Sequence, residues 1–232
     1  MEYSFFYRNK TGRFIKKLWL FSVFLLFSLG ANAQCPAGNI VLYSQADVDF
    51  FVTNYPNCTE ITGNLTISGD DITDLSLLSN IQSIVGYLNV SANSALTNIN
   101  GLSSLTSVGI IQIANNPQLI NIDGLSSLTS IAGYLNVNTN SVLTDINGLS
   151  SLTSVGTIQI ANNPQLINID GLSSVASIGG FLNVVNNGAL INIDGLSSVT
   201  SVEELLYIRQ NPLLTNLNGL NALTSVGGNL YI

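Results

Sequence analysis

Gly101–Asp123 reads GLSSLTSVGIIQIANNPQLINID, and it returns at Gly148–Asp170 with Thr157 standing where the first copy has Ile110. Looser copies open at Gly124, Gly171 and Gly195, and a shorter one opens at Gly219. These glycines are 23, 24, 23, 24 and 24 residues apart. A fixed period in this range belongs to solenoids, in which each repeat is one coil that buries its apolar side only against its neighbours.

Aligned on this unit, the chain shows an apolar column at Leu65, Leu88, Ile111, Leu135, Ile158, Leu182, Leu206 and Leu230. A second column follows two residues later at Ile67, Val90, Ile113, Val137, Ile160, Val184, Ile208 and Ile232. Alternation with period two predicts a half-buried strand in every coil, and stacking joins these strands into one parallel sheet. Beyond the strand the period becomes three (Leu96, Ile99, Leu102, Leu105, Val108, then Leu119, Ile122, Leu125, Leu128, Ile131). That spacing fits neither an α-helix nor a flat strand, and it predicts short 3₁₀-like or extended segments turning corners. The Asn-Gly and Asp-Gly steps at Asn100, Asp123, Asn147 and Asp170 read as turn chemistry. Asn93, Asn116, Asn140, Asn163, Asn187 and Asn211 form a third column, three residues after the second aliphatic. An amide both donates and accepts, so this column is expected to be a structural ladder serving backbone groups left unpaired by the turning coil.

Ahead of the repeats, Arg8, Lys10, Arg13, Lys16 and Lys17 precede an apolar run from Leu18 to Leu29 and a small-x-small site at Ala31-Asn32-Ala33. This is the layout of a secretory signal peptide over residues 1–33, and the run is short for a bilayer core of roughly 30 Å. No membrane span is expected after cleavage. Asn-Ala-Gln before Cys35 is a poor lipobox. The leader carries five of the six basic residues and one of the thirteen acidic ones, leaving Arg209 against twelve carboxylates, a net charge of −11. Such a chain is repelled by phosphate backbones and anionic lipid, which excludes nucleic acid as a partner.

Residues 34–60 read as an N-terminal cap and residues 61–232 as the solenoid, its last coil incomplete. Asn39–Tyr43 is a strand candidate. Ser44 is a suitable N-cap, with Asp47 three residues on, for a short helix presenting Val48, Phe51 and Val52 and ending before Pro56. Cys35 and Cys58 are the only cysteines; behind a leader, an even count points to one disulfide across this cap rather than two free thiols. At the other end the chain stops at Leu230-Tyr231-Ile232 in mid-coil. Either more protein follows, or the open coil associates end to end with a second copy.

These residues carry a family resemblance. The segment GYLNVSANSALTNINGLSSLTSV (Gly86–Val108), with Cys58 preceding Ile61-Thr-Gly-Asn-Leu-Thr-Ile67, resembles the receptor L-domain, a relative of leucine-rich repeats. That module occurs in the ectodomains of insulin and epidermal growth factor receptors and in fungal cell-wall proteins. The resemblance implies a mainly β, right-handed parallel β-solenoid serving extracellular recognition. The repeats here are more uniform than those of receptor L-domains, whose variable loops carry binding.

Catalytic chemistry is not expected. The chain has no histidine, its Ser-Ser pairs recur as small corner residues, and no lysine follows the leader. No cofactor or metal is called for: Asp170 and Asp194 occupy equivalent places in neighbouring coils, but Asn147 and Asn218 fill the same column as ordinary turn residues. A threonine column (Thr106, Thr129, Thr153, Thr200, Thr224) raises an ice-binding reading, interrupted by Ala176.

The outward strand positions are the candidate ligand-binding set: Tyr87 with Asn89, Gln112, Tyr134 with Asn136, Gln159, Phe181 with Asn183, and Tyr207. Aromatics recur every second coil, an expected separation of about 10 Å at the usual strand spacing, beside a stripe of amides. Flat rings beside amides predict a platform for an extended glycan or a protein ligand on a secreted or cell-surface adhesion module. The competing expectation is a structural surface spacer without a specific ligand.

Overall fold

The computed structural model describes residues 34–232, together with the backbone of two short strands before them, β1 (Phe6–Arg8) and β2 (Phe14–Lys16), which pair antiparallel. The apolar run and cleavage site expected of the leader lie outside the described residues.

From Gln34 on, the chain is a stack of coils whose strands form one open, 13-stranded parallel sheet, the architecture of a receptor L-domain-like β-solenoid. The sheet opens inside the cap. β3 (Ile40–Leu42) pairs parallel with β5 (Leu65–Ile67) in the register Ile40↔Leu65 and Leu42↔Ile67, so both apolar columns begin one coil earlier than the repeat pattern indicated. Helix α1 (Gln45–Asn54) follows, with Ser44 Oγ accepting from Asp47 N at 3.2 Å and the Asp47 carboxylate accepting from Tyr43 N at 2.9 Å. Its apolar face buries Val48 and Phe51, with Val52 and Tyr55 packed against the same core. Cys35 and Cys58 are joined in a disulfide, 23 residues apart. The bridge ties the start of the cap to the segment entering β4 (Glu60–Ile61).

Each later coil contributes more strand than the two-column alternation suggested. β6 (Ser83–Ser91), β7 (Ser107–Ala114), β8 (Ser130–Asn138) and β9 (Ser154–Ala161) run through a bend. Val108 and Ile131, which the period-three pattern placed on corners, lie in the first arm of these strands, paired with each other and with Ile84 and Val155. In later coils the two arms separate: β10 (Ser177–Ile178) and β11 (Leu182–Val185), then β12 (Ser201–Val202) and β13 (Leu206–Arg209), then β14 (Ser225–Val226) and β15 (Leu230–Tyr231). The register shifts at the bend between β6, β7, β8 and β9. There Val85-Gly86 or Ala132-Gly133 stands opposite a lone Gly109 or Gly156, so the alternation of 23 and 24 residues is absorbed as a bulge.

The period-three arc contains one turn of 3₁₀ helix per coil: Ser76–Leu78, Asn100–Leu102, Asp123–Leu125, Asn147–Leu149, Asp170–Leu172, Asp194–Leu196 and Asn218–Leu220. The glycine of each Asn-Gly or Asp-Gly step serves close packing rather than a left-handed turn. A Cβ on Gly171 would sit 1.9 Å from the carbonyl oxygen of Ile146 in the preceding coil, and one on Gly101 would sit 1.6 Å from that of Leu75. The aliphatic columns fill the interior completely; Leu88, Ile111, Leu135, Ile158 and Leu182 have no exposed surface. Toward the last coil the covering thins, and Leu230 and Ile232 are 54% and 60% exposed.

Candidate functional site

Which side chains are free to meet a ligand is decided by how the repeated polar columns are used. Asn93, Asn116, Asn140, Asn163, Asn187 and Asn211 are buried. Asn140 shows the pattern. Its Oδ1 accepts from the backbone N and the side-chain Nδ2 of Asn116, both at 3.2 Å, while its own Nδ2 donates to Ile113 O at 3.0 Å and to Asn138 O at 3.1 Å. The chain of amides starts at Gly69 N, which donates to Asn93 Oδ1 at 2.9 Å, and reaches Asn211, whose Oδ1 accepts from Asn187 N at 2.9 Å. These amides face the coil interior and belong to the backbone.

A second polar column escaped the sequence reading. Asn98, Asn121, Asp145, Asn168, Asn192 and Asn216 each accept, through Oδ1, the backbone N–H two residues on, at 3.0–3.2 Å. This Asx turn starts each 3₁₀ segment. The signal lay in the recurring Asn/Asp-x-Asn/Asp-Gly tetrad. A third column sits just before the buried asparagines: Ala92, Asn115, Thr139, Asn162, Asn186 and Gln210 have φ of 55–58°. A left-handed residue turns the chain out of the strand, which is why asparagine recurs there.

The threonine column is likewise consumed by the fold. Thr106 Oγ1 donates to Gln82 O at 3.0 Å, Thr129 to Thr106 O at 3.1 Å, Thr153 to Thr129 O at 3.2 Å, Thr200 to Ala176 O at 3.1 Å and Thr224 to Thr200 O at 2.9 Å. Hydroxyls committed to the coil below are not an array offered to ordered water.

The outward column between the two core columns is different. Thr66, Asn89, Gln112, Asn136, Gln159, Asn183, Tyr207 and Tyr231 are paired in register from coil to coil. None of its five amides bonds to the backbone among the described residues: Asn136 Oδ1 accepts only from Asn138 Nδ2 at 3.4 Å and Gln159 Oε1 only from the Tyr134 hydroxyl at 2.5 Å. The oxygens Asn89 Oδ1 and Asn183 Oδ1 are covered and have no partner. One column over stand Tyr87 and Ile110, 39% and 42% exposed, then the half-buried Tyr134, Thr157 and Phe181.

Two expectations for this face are corrected. The aromatic row is not a set of flat rings about 10 Å apart: Tyr134 and Phe181 lean over the smaller Thr157 until their centroids are 6.0 Å apart, at an interplanar angle of 59°. Tyr207 and Tyr231 meet edge to face at 5.7 Å, with the Arg209 guanidinium 5.8 Å from the Tyr207 ring centre. Asn136, expected to be offered to a ligand, is 8% exposed, because Asn138 and its own neighbours close over it. Burial pushes the Tyr134 hydroxyl above its ordinary pKa, so it stays a neutral donor toward Gln159.

Burial, and then the neighbouring Asp194 carboxylate, raise the pKa of Asp170 above the usual carboxylate value. No group of three or more His, Cys, Asp or Glu side chains among the described residues is arranged to hold a metal ion.

The geometry defines a repetitive scaffold with an uncommitted amide face, and the comparison with protein families agrees on its class. The Receptor L domain family matches residues 57–122, which makes the chain receptor L-domain-like, akin to an extracellular ligand-binding module. A comparison with curated proteins returns no match. No helix among the described residues is long and apolar enough to cross a membrane.

Proposed function

We propose that this chain is a secreted or surface-displayed recognition module, without catalytic activity, that binds an extracellular glycan or protein through the outward face of its sheet. One observation carries the reading. The Asn93–Asn211 and Thr106–Thr224 columns hold coil to coil and the Asn98–Asn216 column starts the 3₁₀ turns, whereas the amides at Asn89, Gln112, Asn136, Gln159 and Asn183 make no backbone bond and stand beside aromatic side chains. Polar groups kept in register along a sheet without structural duty are the pattern of a binding surface set on a rigid scaffold. The disulfide fits an oxidising, extracellular setting, as does a leader ending at Ala33; N-terminal sequencing of exported protein should begin at Gln34.

The reading is tested on arrays of extracellular glycans and ectodomain proteins, probed with the wild type and with Tyr134→Ala and Gln112→Arg. Reproducible binding that both variants abolish supports it. Binding untouched by either variant places the site elsewhere, and no binding on either array leaves the spacer reading.

A further inference from the structure

Resting on that assignment of the face, we propose that its ligand is an uncharged, linear glycan lying along the stacking direction across several coils. Between Tyr87 and Asn183 no residue in the two outward columns is acidic or basic, on a chain that otherwise carries twelve carboxylates after its leader. Such a face has nothing with which to neutralise a uronate or a sulfate, and the surrounding negative charge repels both.

An amide presents donors and an acceptor, as a hydroxyl does, so a row of amides beside aromatic rings matches a ligand that is hydroxylated on its edges and carries C–H groups on its faces. Asn89 Oδ1 and Asn183 Oδ1 are the particular need. Each is a covered acceptor without a donor, and a buried acceptor left unpaired is unfavourable until a donor arrives. The terminal torsion of asparagine is soft, so a small rotation turns either oxygen toward an incoming hydroxyl.

Asn89 and Asn183 occupy the same place in a double repeat, and the register Asn89↔Gln112↔Asn136↔Gln159↔Asn183 sets them four rungs apart. At the ~4.8 Å spacing of neighbouring strands that is about 19 Å. One sugar cannot satisfy both acceptors, and a linear chain can. Beside this path stand Tyr87 and the tilted pair Tyr134 and Phe181, their ring centroids 6.0 Å apart. Contacts repeated along one ligand add through effective concentration, so affinity must climb with chain length.

The test is a calorimetric titration of the purified chain with neutral linear oligosaccharides of the gluco-, manno-, xylo- and N-acetylgluco-series, two to eight units long, with a polyuronate and a sulfated glycan as charged comparisons. At least one neutral series is expected to bind, tightening by about tenfold or more between two and six units. Asn89→Leu and Asn183→Leu should each weaken the hexamer about tenfold, and together they should remove the length dependence. Ile120→Ala, on the far side of the coil, should change nothing, and circular dichroism checks that every variant keeps its β signal. Affinity independent of length, preference for the charged glycans, or asparagine variants that bind normally would overturn the proposal. Should the arrays show a protein bound at this face while every neutral series fails, the recognition reading stands and this one falls; if neither binds, both fall.

Discussion

Replacing Asn140 with alanine removes a side chain that joins three coils. One group loses its partner outright, the Asn116 N–H held at 3.2 Å by Asn140 Oδ1, and the Ile113 carbonyl loses the bond from Asn140 Nδ2 at 3.0 Å. The Asn140 backbone N–H keeps its bond to Asn163 Oδ1 at 3.0 Å, so the damage runs toward the N-terminal side of the break. The side chain is fully buried, and water does not replace what is removed. With one buried donor left unsatisfied, the substitution should cost about 1–3 kcal/mol. Asn138→Ala is the matched control. That side chain is half-buried and holds only Asn136 Oδ1, at 3.4 Å, and the Thr139 hydroxyl, so its loss should cost well under about 1 kcal/mol. Urea unfolding followed by circular dichroism gives both values. Hydrogen exchange should show the Asn140→Ala loss as faster exchange of the Asn116 amide and its neighbours. Equal costs for the two variants would mean that the buried ladder is not what couples the coils.

Four further outcomes follow from particular contacts. Gly171→Ala, whose Cβ would lie 1.9 Å from Ile146 O, should destabilise by at least about 2 kcal/mol, whereas Gly179→Ala, with its nearest neighbour at 3.7 Å, should cost less than about 0.5 kcal/mol; thermal melts distinguish them. Thr139→Asn should stabilise by about 1 kcal/mol, because φ is 56° there and a β-branched residue tolerates that region poorly; a fall in melting temperature would refute it. Asp170 has its folded pKa raised, so its contribution is favourable below the unfolded value and is lost as pH rises through the folded one. Asp170→Asn should therefore melt higher than wild type at neutral pH, the gap closing in acid, and a gap that widens in acid would reverse the sign. Reducing Cys35–Cys58 frees a 23-residue loop worth about 3 kcal/mol, so proteolysis under reducing conditions should begin between residues 35 and 60; cuts appearing first in the middle coils would contradict this.

Much of this fold is legible in the sequence because a solenoid repeats its burial pattern. Leu88 and Val90, Ile111 and Ile113, Leu135 and Val137 alternate plainly, and the period of three in Leu96-Ile99-Leu102-Leu105 marks the 3₁₀ arc. The sequence pattern of Asn93 through Asn211 likewise marks a column, since each amide must be in phase with the next to bond it. What stayed hidden depends on contacts between coils. The need for Gly101 or Gly171 comes from a carbonyl in the coil beneath, not from the turn in which the glycine sits. The first strand arm at Ser107-Val108 is too short to alternate, and so it merged with the period-three run. The lean of Tyr134 toward Phe181 depends on the smaller Thr157 between them, which a spacing along the chain cannot express.

The central claim is that the outward face at Asn89–Asn183 is where this molecule meets its ligand. With whichever ligand the arrays return, backbone and side-chain amide shifts recorded by NMR during titration test it most directly. Perturbations are expected to centre on Asn89, Gln112, Gln159 and Asn183, with the 3₁₀ arc at Asn100, Asn147 and Asp170 unmoved. Perturbations confined to the 3₁₀ arc or to the cap helix, with the strand amides unmoved, would contradict it.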